Sequence, residues 1–199
     1  LSAGLRQLAQ REGATLFMVL LASFQALLHR YSGQSDIRVG VPVANRQRVD
    51  IERLIGFFVN TQVLKAGVDG QGAFIELLRQ VKHTALQAQA HQDLPFEQLV
   101  QALQPERSLS HSPLFQVMYN HQSEGKKSID VDLPGLRVEG LAWENQTAQF
   151  DLTLETYESR DSLSASVVYA SALFDASTIE RLAQHWQHLL QAVVADPTQ

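Results

Sequence analysis

Seven histidines are scattered over 199 residues, and no two are adjacent. The first question is whether any of them belongs to a constellation that does chemistry. His185 and His188, in "HWQH", are spaced i,i+3 on an expected helix, a spacing that can hold a metal, but no carboxylate stands beside them at matching spacing. They read as polar surface positions flanking a buried Trp186. His91 opens "HQDLPFEQLV" and could serve as a general base. The more frequent role at such a place is to close a helix, where an imidazole suits the negative end of the dipole. His111 and His121 flank the apolar run "SPLFQVMYN". Asp151 and Glu155 share one expected strand, as an acid/base pair or as solvent-facing residues. No G-x-S-x-G elbow, Walker-type loop or dinucleotide glycine pattern is present. Without cysteine there is no disulfide, thiolate zinc site or catalytic thiol. By residue types alone, no complete catalytic constellation exists.

A second group of polar residues stands at the tips of apolar runs. "VGVPVANRQR" drives a buried strand straight into Asn45, Arg46 and Arg48, and "IGFFVNTQVLK" puts Asn60 and Thr61 where the next strand begins. Asn120 ends "FQVMYN". Each has a plain reading, as a loop cation or as a cap on exposed backbone groups.

The elements that must position these residues can be read from periodicity. Leu16, Phe17, Leu20, Leu21, Phe24, Leu27 and Leu28 recur at helical steps over 14–31, and Ser32-Gly33 stops them. Residues 37–43 crowd Val and Ile as a buried strand does. A short turn over 50–56 leads to a strand over 58–65. A helix follows over 73–90, with Phe74, Leu77, Leu78, Val81 and Leu86 inward, and another over 96–103 enters through Pro95. Strands are expected at 114–120, 136–143, 150–157 and 162–170, with a polar loop over 122–132. A last helix over 177–194 presents Ile179, Leu182, Trp186, Leu189 and Val193. Asp196-Pro197 looks like the start of a linker. The mixture predicts an α/β sandwich with a mixed sheet flanked by helices.

Composition narrows the function. Hydrophobic residues make up 45% and charged residues 19%, so the chain is globular. The net charge of −5 argues against a nucleic-acid footprint, which needs a basic face. No apolar run reaches the ~18 residues of a membrane span, no signal-peptide pattern opens the chain, and the absence of cysteine is compatible with the cytoplasm. The first residue is Leu1, which suggests a piece of something longer.

"IGFFVNTQVLK", "HQDLPFEQLV" and "RSLSHSPLFQVMYN", in this order, resemble three successive motifs of nonribosomal peptide synthetase condensation domains. The likeness continues through "ENQTAQFDLTLE" and "FDASTIERLAQHWQHLLQAVVADP", covering essentially the whole chain. It implies a chloramphenicol-acetyltransferase-like lobe, one of two that enclose a tunnel. A donor acyl thioester and an acceptor amine, each on the phosphopantetheine arm of a carrier domain, would meet there and form an amide. The family's HHxxxDG motif is absent from this sequence, which implies the C-terminal lobe, over residues 1–195, with 196–199 opening a linker and an adenylation domain adjoining. Such a lobe is expected to be inactive alone, to need its N-terminal lobe and the upstream and downstream carriers, and to bind no cofactor of its own. By the likeness Arg46, with Arg48 as the alternative, pairs with the Asp of the missing motif. Asn60 and Thr61 would support the substrate tunnel, and Asn120 would be a polar tunnel group. Residues 143–150, with Trp143, Gln146 and Thr147, resemble the tunnel floor, and 123–136 is one place for a latch to the other lobe. An apolar face should be left on the isolated piece. An epimerization-domain lobe and a noncatalytic carrier-docking module are the competing readings.

Overall fold

A computed structural model of the chain describes residues 1–46, 48–105, 112–123, 147–159 and 162–199. The expected strand at 136–143, most of the latch segment, His111, Trp143 and Gln146 lie outside these residues.

Helix α1 (Ser2–Arg11) leads into α2 (Leu16–Ser32), the centre of the core. In α2 the buried residues run without a break from Met18 to Gln25, because the helix is covered on nearly every side. Thr15 caps its start by accepting from the Met18 N–H at 3.3 Å. Gly33 ends it in the left-handed region at φ 69°, where a residue without Cβ fits at no steric cost. Strand β1 (Asp36–Val43) follows, then the single turn α3 (Val49–Glu52), strand β2 (Asn60–Gly67), α4 (Phe74–Ala90) and α5 (Phe96–Leu103). Strands β3 (Val117–Ser123), β4 (Leu152–Glu158) and β5 (Leu163–Tyr169) precede the closing helix α6 (Ala176–Ala195).

The described strands form one mixed sheet in the order β2-β1-β3-β4-β5. The central pairs β1–β3 and β3–β4 are parallel, and both outer pairs are antiparallel. The alternation is visible in burial. Val39, Leu64, Val117, Tyr119, Leu154 and Val167 share the face that meets α1, α2, α4 and α6. The opposite face carries Arg38, Gly40 and Pro42 on β1, Thr61 and Val63 on β2, Met118 and Asn120 on β3, and Glu155 and Tyr157 on β4. The α/β class and the mixed sheet flanked by helices are as the sequence implies.

Trp186 of α6 is locked to α2 by an N–H donated to Ser23 Oγ at 2.9 Å, inside the core. His185 and His188 are exposed on either side of it, and His185 meets the Tyr31 hydroxyl at 2.9 Å. Several expectations for element positions shift, among them the start of β2, which lies at Asn60 rather than at 58. Leu86 is 47% exposed rather than inward, since α4 turns its buried stripe through Leu78, Val81 and Ala85. Strand β3 starts at Val117 rather than at 114, because Leu114 takes a left-handed conformation at φ 71° and cannot extend. The tail at 196–199 folds back onto α4, where the Pro197 and Gln199 carbonyls accept the Ile75 and Phe74 N–H groups at 2.9 Å. These two donors would otherwise be orphans of the helix start.

Candidate functional site

The polar residues singled out in the sequence gather at one end of β1 and β2 and on the sheet face away from the main helices. Asn45, at φ 51°, turns the chain sharply after β1; Asn is one of the few residues other than Gly that tolerate this region. The turn aims Arg46 into the 51–56 segment. Its Nη1 donates to the Ile51 and Leu54 carbonyls at 2.9 and 2.6 Å, and Nη2 to the Gly56 carbonyl at 3.1 Å. The guanidinium carbon also sits 4.2 Å above the Phe58 ring. The carbonyl bonds use three of the five N–H donors and leave the positive charge in place. Arg48 is committed to Asp50 in an exposed two-pronged pair, at 3.1 and 2.6 Å. Around Arg46 five apolar side chains, Val49, Leu54, Ile55, Phe57 and Val59, are exposed, Ile55 and Phe57 almost completely, among the exposed charges of Arg48, Asp50, Glu52 and Arg53.

Asn60 joins two of the motifs. Its Nδ2 donates to the Gln92 and Leu94 carbonyls at 3.0 and 2.8 Å, and its Oδ1 accepts the Phe96 N–H at 3.1 Å. One amide thus clamps the whole "HQDLPF" turn and caps the start of α5. Two residues along, on the same side of β2, Gln62 donates to the Ala88 carbonyl near the end of α4 at 2.6 Å. His91 closes α4, its Nδ1 lying 2.9 Å from the Gln87 carbonyl.

Thr61 points the other way and pairs in register with Pro42. Gly40 pairs with Met118, and two residues on, Pro42 and Asn120 continue the same face of their strands. Asn120 is opposite Glu155, and Glu155 opposite Ser166. The sheet thereby brings Thr61, Asn120 and Glu155 onto one surface, although 94 positions separate the outermost two. Glu155 accepts from the Tyr157 hydroxyl at 3.0 Å and from Ser166 Oγ at 3.2 Å. Desolvation, followed by this carboxylate, pushes the Tyr157 hydroxyl above its ordinary range. Asp151 stands just before β4, its N–H on the Gln116 carbonyl at 3.1 Å. Toward the start of the sheet this face is closed by aromatic packing. The Phe115 ring lies directly on Gly40, and Phe115 touches both Phe96 and Phe150. Thr147 is exposed ahead of this cluster. No group of three or more His, Cys, Asp or Glu side chains suited to a metal occurs among the described residues.

No single helix among the described residues is long and apolar enough to cross a membrane. Helices α1 and α2 reach that composition only as a pair bent by 103°, with α2 buried in the core.

Comparison with known proteins agrees with this architecture. The family model for the condensation domain matches residues 1–199. A linear gramicidin synthase of Brevibacillus parabrevis is 52% identical over 201 residues, covering 100% of this chain and 4% of its own length. The chain is thus a small part of the relative it matches. Among solved structures, the X-domain from teicoplanin biosynthesis superposes with a TM-score of 0.90 at 26% identity, over 99% of this chain and 45% of that one. A four-domain nonribosomal peptide synthetase, holo-AB3403 bound to AMP and glycine, gives 0.89 at 28% identity, over 100% of this chain and 16% of that one. This chain belongs to the condensation-domain family of nonribosomal peptide synthetases.

Proposed function

We propose that residues 1–195 are the C-terminal lobe of a condensation domain that joins a carrier-bound acyl thioester to a carrier-bound amine. In the reaction the amine nitrogen attacks the thioester carbon. The C–N bond forms, the C–S bond breaks, the amine gives up a proton and the carrier thiol leaves. The observation that carries the reading is the apolar surface of Val49, Leu54, Ile55, Phe57 and Val59 around the charged Arg46. A monomer gains nothing by exposing such a patch, which suits burial against another part of the protein. The X-domain match agrees, since this chain accounts for 45% of that single domain.

In this reading the rest of the domain covers the patch and brings a carboxylate to Arg46. Fixing the guanidinium on three carbonyls orients it in advance, so little side-chain entropy is lost when the carboxylate arrives. Thr61 and Asn120 supply polar groups to the face along which substrate lies. The Asn120 amide can donate to the oxygen that gains charge as the amine adds. Thr147 belongs to the floor of the same passage, and 196–199 begins the connection to a following adenylation domain. No cofactor is held by this chain; the phosphopantetheine arms belong to the upstream and downstream carriers. The group that positions the attacking amine comes from the other lobe, so this chain alone does not condense. The setting is cytoplasmic, with which the lack of cysteine is compatible.

Titrating this chain with the separately produced remainder of its own domain tests the reading. Binding is expected, and Phe57→Ser with Ile55→Ser should weaken it at least tenfold while α-helix content is kept. Equal binding by the double variant would place the partner elsewhere and overturn the assignment of the patch.

A further inference from the structure

The ends of β3 and β4 hold a buried polar chain that the reaction above does not use. Tyr119 and Thr156 are both wholly buried, and the Tyr119 hydroxyl lies 3.0 Å from Thr156 Oγ1. Thr156 Oγ1 is in turn 2.8 Å from His121 Nδ1. The far side of the same ring, Nε2, lies 3.7 Å from Glu158 Oε2. Glu158 Oε1 is engaged by Arg6 Nε of α1 at 2.9 Å, and Arg6 Nη2 donates to the Ser159 carbonyl at 2.6 Å. Phe17 of α2 packs on both Tyr119 and His121. Tyr119, Thr156 and His121 thus form a hydrogen-bonded row between two strands, and Glu158, held by Arg6 of α1, stands beyond the far side of the ring at a distance that makes an ion pair only with a charged imidazole.

One assignment of the donors satisfies every buried proton of the row. Thr156 has a single hydroxyl proton, and Tyr119 another. If Tyr119 donates to Thr156 and Thr156 donates to His121 Nδ1, every buried proton has an acceptor. The ring is then neutral, with its proton on Nε2 facing Glu158. A second proton must sit on Nδ1 and would oppose the Thr156 proton. Three protons, on Tyr119, Thr156 and Nδ1, would then share two contacts, and one of them would lose its acceptor inside the core. The charged groups around the ring do not reverse this. From α1 comes Arg6, a cation that already holds Glu158; from β4 come Glu158 and the neutral Thr156. Phe17 on α2 carries no charge, and the β5 residues opposite Thr156 and Glu158 are Ala165 and Leu163.

We propose that His121 is an acid-sensitive pin: its neutral ring fastens the ends of β3 and β4 to each other through Thr156, and its protonation releases them. Burial holds the ring's pKa below the ordinary histidine value, outweighing the attraction of Glu158. A histidine lowered in this way adds stability above its unfolded value, and that stability is lost as pH falls below it.

The test uses the intact protein and two mass-spectrometric readouts. Exchange of the imidazole C2 hydrogen follows the titration of His121 directly, without any substitution. Backbone deuterium exchange follows the segments 117–123 and 152–158, compared at about pH 7.5 and about pH 5.5 after correction for intrinsic rates. The expected results are a His121 midpoint below that of the same residue in the denatured protein, and a loss of protection in both segments at the lower pH. His121→Asn keeps an acceptor near the Nδ1 position but cannot titrate, and should show no such pH-dependent loss. A His121 midpoint at or above that of the denatured protein would overturn the proposal. So would strand ends whose protection falls equally in the wild type and in His121→Asn.

Discussion

Removing the Asn60 amide shows whether the clamp between the two motifs does what its geometry implies. Asn60→Ala deletes two donated bonds, to the Gln92 and Leu94 carbonyls, and one accepted bond, from the Phe96 N–H. A net ~0.5–1.5 kcal/mol per bond would give several kcal/mol if all three were sealed from water. The turn is partly exposed, however, and water recovers some of each bond, so the expected loss is about 1–2 kcal/mol. That agrees with the ~0.5–2 kcal/mol of a lost helix cap. For a chain of this size it lowers the melting temperature by about 5 °C. Asn60→Asp separates the two halves of the amide. It keeps the acceptor for Phe96 and gains slightly from the α5 dipole, but it replaces both donors with an oxygen facing two carbonyls. With two of the three bonds on the donor side, Asp should be no more stable than Ala. Thermal melts of the three proteins at neutral pH decide it. A loss below about 0.5 kcal/mol for Ala, the range of an ordinary surface change, would refute the clamp. An Asp variant close to wild type would refute the weight given to the donors.

Other expectations follow from the same geometry. Gly40→Ala drives a Cβ into the Phe115 ring and should destabilise by roughly 1–3 kcal/mol. Combining it with Phe115→Leu should cost less than the two changes summed, as a double-mutant cycle of denaturation would show. Trp186→Phe removes the N–H held by Ser23 and should lower stability by about 1–2 kcal/mol. Ser23→Ala should do similar damage by stranding the indole N–H, and the double variant should fall short of additivity in the same cycle.

Much of the framework is legible in the sequence because it is written in local patterns. The α5 helix begins after Pro95 and ends at Leu103, as its entry proline and apolar spacing imply. The α2 stop at Gly33 follows from the glycine itself. The places where reading fails are those where distant residues decide. The start of β3 moves because Leu114 turns to seat Phe115 on Gly40 of another strand. Phe58, expected within a strand, instead lies beneath the Arg46 guanidinium. Helix α1 carries only a short apolar set in Leu5, Leu8 and Ala9, too brief to announce itself beside the long run of α2. In the candidate site, Asn60 could be read as a cap or as a tunnel group; what could not be read is that the turn it holds lies more than 30 residues on. His121 gave no local signal at all. Its partners Thr156 and Glu158 reach it only through the β3–β4 register, and its Arg6 neighbour only through the packing of α1. A residue-by-residue scan for histidine pairs passes over such a network, whereas a search for polar residues on the buried side of neighbouring strands would find it.

The central claim is that this chain supplies one half of an amide-forming machine and that Arg46 helps join the halves. The most direct measurement mixes it with the separately produced remainder of its domain and with donor- and acceptor-loaded carriers, then follows peptidyl-carrier product by mass spectrometry. The account predicts product only when both halves are present, and at least a tenfold slower rate with Arg46→Ala. Association of the halves without product, under donors that the intact protein accepts, would contradict it and favour a noncatalytic docking module. Product from this chain alone would contradict it more severely, because the residues described above contain no complete catalytic centre.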